Sequence, residues 1–199
     1  MEPIKPLGYP KCFYGILDGN GKTISNLNVP YLFNAVTGEI RDLTLAESCT
    51  FKNASVARWL VGGKVINCKN YGSILPTFNG TDWSNDANAG GIVQIAERGA
   101  EILGCKNYGK IEIQSDKTNF SRIGGIAASI SNVTIRNCHN YGSLNAGKPA
   151  EGYHGSTGNY AGGIVGEVRT SSTYKGSTQI IGCSNRGSVT AGGYVGGIL

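Results

Sequence analysis

The sequence predicts an all-β fold: a right-handed parallel β-helix (β-solenoid) with loops inserted at two corners and no significant helix. Three observations predict it. One phrase is written four times, as Cys68-Lys69-Asn70-Tyr71-Gly72, Cys105-Lys106-Asn107-Tyr108-Gly109, Cys138-His139-Asn140-Tyr141-Gly142 and Cys183-Ser184-Asn185-Arg186-Gly187. A glycine phrase alternates with it, as Gly90-Gly91-Ile92-Val93, Gly124-Gly125-Ile126-Ala127, Gly162-Gly163-Ile164-Val165 and Gly196-Gly197-Ile198-Leu199. No window sustains apolar residues at three-and-four spacing between credible caps, so nothing reads as a helix. Self-similarity over a few tens of residues marks a stacked repeat protein, in which each unit buries its apolar face against its neighbours.

Taken in order, residues 1–11 form an extended lead-in, since Pro3, Pro6 and Pro10 leave little choice of backbone. Residues 12–45 form degenerate first coils. There Ile16-Leu17 and Thr23-Ile24 flank Asp18-Gly19-Asn20-Gly21, a strong turn signal. Ile24, Leu27 and Val29 are expected inside, with Thr23, Ser25 and Asn28 in water; Leu32-Phe33 and Ile40 to Leu45 repeat the idea. Residues 46–199 carry the repeats proper. The segment before Cys68 departs from them, because Gly62-Gly63 lies much closer to its cysteine than the later pairs do; Val56 to Val61, with Trp59 in or beside it, is taken as its degenerate strand. Insertions fall after the cysteine phrase (Pro76 to Ala89, Gln114 to Arg122, Asn145 to Ala161) and between the glycine pair and the next cysteine (Glu167 to Thr178). Fixed strands with loops growing at particular corners is how a solenoid behaves.

In such a coil two or three short strands per turn pair with their equivalents about 4.8 Å away, and like stacks on like. The repeat positions then have structural roles. Cys68, Cys105, Cys138 and Cys183 face inward as small apolar groups that resist alkylation in the native fold. Asn70, Asn107, Asn140 and Asn185 hold a bend by hydrogen-bonding their own chain and their stacked neighbours, and Gly72, Gly109, Gly142 and Gly187 permit it. The cysteines recur at one repeat position and form no Cys-x-x-Cys pair, so a reduced core column is expected rather than disulfides or a metal site.

Composition excludes several classes. With 31 glycines, 40% hydrophobic and only 16% charged residues, enough of the chain can be buried to exclude disorder. The formal net charge of +5 is scattered with no basic run, which argues against nucleic acid and anionic membranes as partners. No stretch has the length of a membrane-spanning helix, so no direct membrane insertion is expected, and the first residues do not read as a signal peptide. The last residues fall inside a repeat, without the polar cap that ends a solenoid; flanking domains of the same chain are therefore expected.

The stretch from Gly15 to Leu27, with Asp18-Gly19-Asn20-Gly21-Lys22-Thr23-Ile24-Ser25-Asn26-Leu27, resembles the opening coil of GLUG-motif repeat proteins. Gly162 to Gly166 followed by Ile180-Ile181-Gly182-Cys183-Ser184-Asn185-Arg186-Gly187-Ser188-Val189 resembles their repeat unit. The resemblance covers nearly the whole chain from Phe13. It implies a β-solenoid from a bacterial surface or secreted protein, such as the non-catalytic N-terminal regions of immunoglobulin-cleaving metallopeptidases, and hence an extracellular location. It implies no chemistry, because the family is defined by its repeat.

Catalytic motifs are missing from the sequence. His139 and His154 are the only histidines, and His139 occupies an outward position shared with Lys69, Lys106 and Ser184, so no metal and no cofactor is expected. His-Glu-x-x-His, Gly-x-Ser-x-Gly and the P-loop pattern are absent. The enzymatic alternative is a polysaccharide lyase or hydrolase, for which the close carboxylates Asp82 and Asp86, beside Trp83, are the candidates; their usual role as turn formers is the plainer reading. Binding has more residues behind it. Tyr71, Tyr108 and Tyr141 should stack as an outer column, and Trp83, Tyr153 and Tyr160 stand in or beside the loops; together they are the candidate surface for a host protein or glycan. The expected function is a non-catalytic adhesion, binding or stalk module, with a carbohydrate-active domain and a purely structural spacer as alternatives.

Overall fold

A computed structural model describes residues 12–77, 87–113, 121–147, 159–170 and 176–199. The fold is all-β: the described residues contain no helix, and the strands are parallel and stacked coil on coil into four sheets, the architecture of a parallel β-solenoid. The long face has nine strands, including Ala57–Val61, Lys64–Ile66, Val93–Leu103, Ala127–Arg136 and Gln179–Ile181. The asparagine face has six, from Thr23–Ile24 through Thr44–Leu45, Lys69–Asn70, Lys106–Asn107 and His139–Asn140 to Ser184–Asn185. A third face stacks Thr50–Phe51, Ser73–Ile74, Ile111–Glu112, Leu144–Asn145 and Val189–Thr190. The glycine face stacks Ala89–Gly90, Ser121–Gly124, Asn159–Gly162 and Tyr194–Gly196.

From Ala57 on, each coil visits four faces rather than the two or three strands expected, because many strands are only two residues long and carry no alternating pattern. Ile16–Asp18 and Thr23–Ile24 likewise belong to different faces and do not pair with each other; each pairs with the next coil. The sharp bend between the long face and the asparagine face needs a left-handed residue in every coil. Asp42, Asn67, Gly104, Asn137 and Gly182 fill it, with φ between 51° and 63°. Asn, Asp and Gly are the residues that tolerate this region at least cost.

The core is one column of side chains inside the coil. Leu45, Phe51, Val65, Ile74, Ile92, Ile102, Ile111, Ile126, Ile135 and Leu144 are buried in a single contiguous cluster with Cys49, Cys68, Cys105 and Cys138. Leu27 and Val29 are inside while Thr23, Ser25 and Asn28 are exposed, as their alternation indicates.

Register explains the departure before Cys68. Phe33, Ala57, Val93, Ala127 and Val165 share one position, and Ala54 bridges Gly90. Ala54-Ser55 therefore stands where later coils have Gly-Gly. Gly62-Gly63 is a different bend, level with Glu97 to Glu101 of the next coil. Val56 to Val61 does supply the strand, as Ala57–Val61, with Trp59 41% exposed on its outer side.

Candidate functional site

The two repeated phrases meet inside the coil. Asn70, Asn107 and Asn140 are fully buried, and their side chains form a ladder along the axis. Asn70 Nδ2 donates to Asn107 Oδ1 at 2.9 Å, Asn107 Nδ2 to Asn140 Oδ1 at 2.9 Å, and Asn140 Nδ2 to Asn185 Oδ1 at 2.8 Å. Each Nδ2 also donates to the carbonyl of the glycine two residues on, at 2.9 Å. The amides of Gly72 and Gly187 return a hydrogen bond to Asn70 and Asn185. The asparagines brace the turn into the following glycine from inside, on two-residue strands, and a separate left-handed bend lies three residues earlier.

Glycine is required on both sides of the ladder. A Cβ at Gly125 would collide with the Gly163 carbonyl and the Asn140 carboxamide, and one at Gly91 with the Gly125 carbonyl and Asn107. A Cβ at Gly109 or Gly142 would strike the carbonyl of the equivalent glycine one coil earlier. The Cys-x-Asn-Tyr-Gly and Gly-Gly phrases are thus two walls of one buried amide spine.

The cysteine column lies beside that spine. All six cysteines are free. The Cys105 thiol lies 3.5 Å from the carbonyls of Val65 and Leu103, and the Cys105 amide donates to Cys138 Sγ at 3.3 Å. Burial pushes the Cys105 thiol well above its ordinary range, and the flanking Cys138 and Cys68 thiols add to it. Cys68, Cys105 and Cys138 are buried, but Cys183 is only half-buried. Cys183, in the last described coil, thus departs from the uniform burial expected.

On the outer surface Tyr71, Tyr108 and Tyr141 stack. Ring centroids are 4.5 Å apart at 3° for the first pair and 4.7 Å at 6° for the second. The Arg186 guanidinium lies 5.9 Å from the Tyr141 centroid, so the residue that breaks the tyrosine series continues the column by a cation–π contact. Partial burial in the stack raises the Tyr108 phenol above its ordinary value, and the neighbouring phenols Tyr71 and Tyr141 add to the shift. Tyr108 has both ring faces covered by other tyrosines, so it offers a partner its edge and hydroxyl. Sugar stacking, which uses free ring faces, is therefore left chiefly to the outer face of Tyr71, where the register puts Ala46 beneath it. Tyr160 stacks instead on Tyr194, at 5.1 Å and 14°, on the glycine face and away from this column.

Trp83, Tyr153, His154, Asp82 and Asp86 lie outside the described residues. The described residues contain no group of three or more metal-ligating side chains, and no helix long and apolar enough to cross a membrane. His139 Nδ1 is 2.8 Å from Ser184 Oγ, which is its outward neighbour one coil on.

Sequence reasoning missed one feature, a polar groove of about 710 Å³ running along the bend beside the asparagine face. Asp18, Asp42, Asn67, Lys69, Lys106 and Asn137 line it. Its lysines are scattered through the sequence, and only the coil period brings them together. No known protein family, curated protein or solved structure matches this chain.

Proposed function

We propose that the protein is a non-catalytic binding module: a rigid right-handed β-solenoid, part of a bacterial surface or secreted protein, that presents side-chain stripes and corner loops to a host protein or glycan. The reading includes membership among the GLUG-motif repeat proteins that its phrases resemble. One observation carries it, the half-buried outer column of Tyr71, Tyr108 and Tyr141, continued by the exposed Arg186 at one-coil spacing. Ordered, preorganised stripes of this kind lose little conformational entropy on docking, which favours recognition. The buried amide spine supports the same reading, since it stiffens the rod without bringing reactive groups together.

The test is a panel of polysaccharides and extracellular host proteins, read for binding and for product formation in parallel. Binding without turnover, weakened at least tenfold when Tyr71, Tyr108 and Tyr141 are all changed to Ala, is expected. Release of sugar product that disappears in Asp82→Ala would overturn the reading in favour of a carbohydrate-active domain.

A further inference from the structure

We infer that the groove beside the asparagine face binds an acidic polysaccharide, through the carboxylate or sulfate groups it carries. The argument begins with charge. Lys69 and Lys106 are register partners on adjacent strands, so two ammonium-bearing side chains leave the surface about 4.8 Å apart. Like charges placed directly opposite on a sheet destabilise it. Among the described residues neither lysine has an ion pair, whereas Lys64 is paired with Glu101 and Lys110 with Glu112. The carboxylates of the same groove are already engaged. Asp18 is held by Arg41 at 3.0 Å and by the Asn20 amide at 2.8 Å, and Asp42 accepts from Asn67 Nδ2 at 3.2 Å. Asp18 and Arg41 cancel, and Lys69 and Lys106 outnumber Asp42, whose hydrogen bond comes from a neutral amide, so the groove keeps a net positive charge.

Shape and lining then select the class of anion. The groove runs from Asp18 in the first coil to Asn137 in the fifth, on the order of 20 Å at one strand spacing per coil. That length suits a chain rather than a single ion. The lining offers carboxamides from Asn67 and Asn137 and the hydroxyl of Thr44, which match the hydroxyls of sugar rings, and it holds no apolar pocket for a peptide side chain. A single-stranded nucleic acid would need free aromatic faces for its bases. The nearest aromatic column, two residues beyond the lysines, has its inner faces consumed by stacking.

This assignment deepens the reading of the rod as a binding module and rests on it. Isothermal titration of the full chain with polygalacturonate, chondroitin sulfate, neutral dextran and polyuridylate tests it. Binding to one or both acidic glycans and none to dextran is expected; the uronate and sulfate arms tell which acid is preferred. Lys69→Gln with Lys106→Gln should weaken that binding at least tenfold and make its logarithmic salt dependence shallower by about 1–2. Lys52→Gln, at an exposed lysine away from the groove, should leave it unchanged. Urea unfolding of the double variant at a midpoint no lower than the parent's checks that the fold is intact. No binding to either acidic glycan, equal binding by the double variant, or tighter binding to polyuridylate overturns the assignment. Turnover of a bound glycan would sink the non-catalytic reading and leave the groove standing, whereas binding indifferent to Lys69 and Lys106 sinks the groove alone.

Discussion

Asn107 is the residue on which the interior turns. Its carboxamide donates to Asn140 and to the Gly109 carbonyl, and it accepts from Asn70, all inside a fully buried column. Asn107→Ala would strand one Asn70 N–H, the Gly109 carbonyl and Asn140 Oδ1. Each stranded buried group costs about 1–3 kcal/mol, so a loss of about 3–5 kcal/mol in equilibrium urea unfolding is expected. A loss under about 1 kcal/mol would show that the ladder contributes little. The glycine wall gives a second contrast at this scale. Gly125→Ala drives a Cβ into main chain and into Asn140, where nothing flexible can yield, and should cost at least about 3 kcal/mol or prevent folding. Gly15→Ala meets only the Phe13 ring, at 3.4 Å, an ordinary contact, and should fall within about 0.5 kcal/mol of the parent. Equal effects at the two sites would refute the steric account.

At the scale of single elements, the sequence made the repeats legible and left their geometry hidden. Cysteine, asparagine, tyrosine and glycine recur at fixed offsets, and that recurrence is enough to predict parallel stacking. It does not tell that a two-residue strand such as Lys69–Asn70 turns its amide inward. Nor does it tell that Ala54-Ser55 takes the place of a glycine pair, because small residues substitute there at the level of packing and not of pattern. The lysine row was invisible for a different reason: Lys69 and Lys106 are neighbours only through the coil period, and charge counted along a chain does not see that. The tyrosine column carries a prediction of its own. Its neighbours and partial burial disfavour the Tyr108 phenolate, so its folded pKa lies above the ordinary 10.0 of the unfolded chain. A group shifted upward contributes stability that is fully present below the unfolded pKa and is lost as pH rises through the folded one. Urea midpoints should therefore fall above about pH 10 on account of Tyr108, beyond the fall that the raised Cys105 thiol begins near pH 9. In Tyr108→Phe, which cannot ionise, the decline should be shallower; an unchanged alkaline limb would refute the coupling.

For the whole molecule, stacking makes stability a sum over neighbouring coils rather than a property of one globular core. The central coils have a partner on each side, and their inward residues Ile102, Cys105, Ile111, Ile135 and Cys138 are fully buried. In the last described coil the equivalent residues Ile180, Cys183 and Val189 are only partly buried, and Ile181, Tyr194 and Val195 are between 42% and 64% exposed. Apolar burial contributes roughly 25 cal/mol per Å², so in a polypeptide of residues 1–199 taken alone this coil has less holding it than the coils beneath. Local opening should follow that gradient, since segments with few buried contacts open at lower free energy than the core. In native-state hydrogen exchange the amides of Tyr108 and Tyr141, which donate to Asn70 and Asn107 one coil earlier, should be among the slowest. The amides of Ser184 and Arg186 make the same hydrogen bonds, to Cys138 and Asn140, yet should exchange at least about tenfold faster. Because the hydrogen bonds are alike, the difference isolates the effect of position along the rod. Uniform protection from first coil to last would mean that the solenoid opens as one cooperative block, and the nearest-neighbour account would fail.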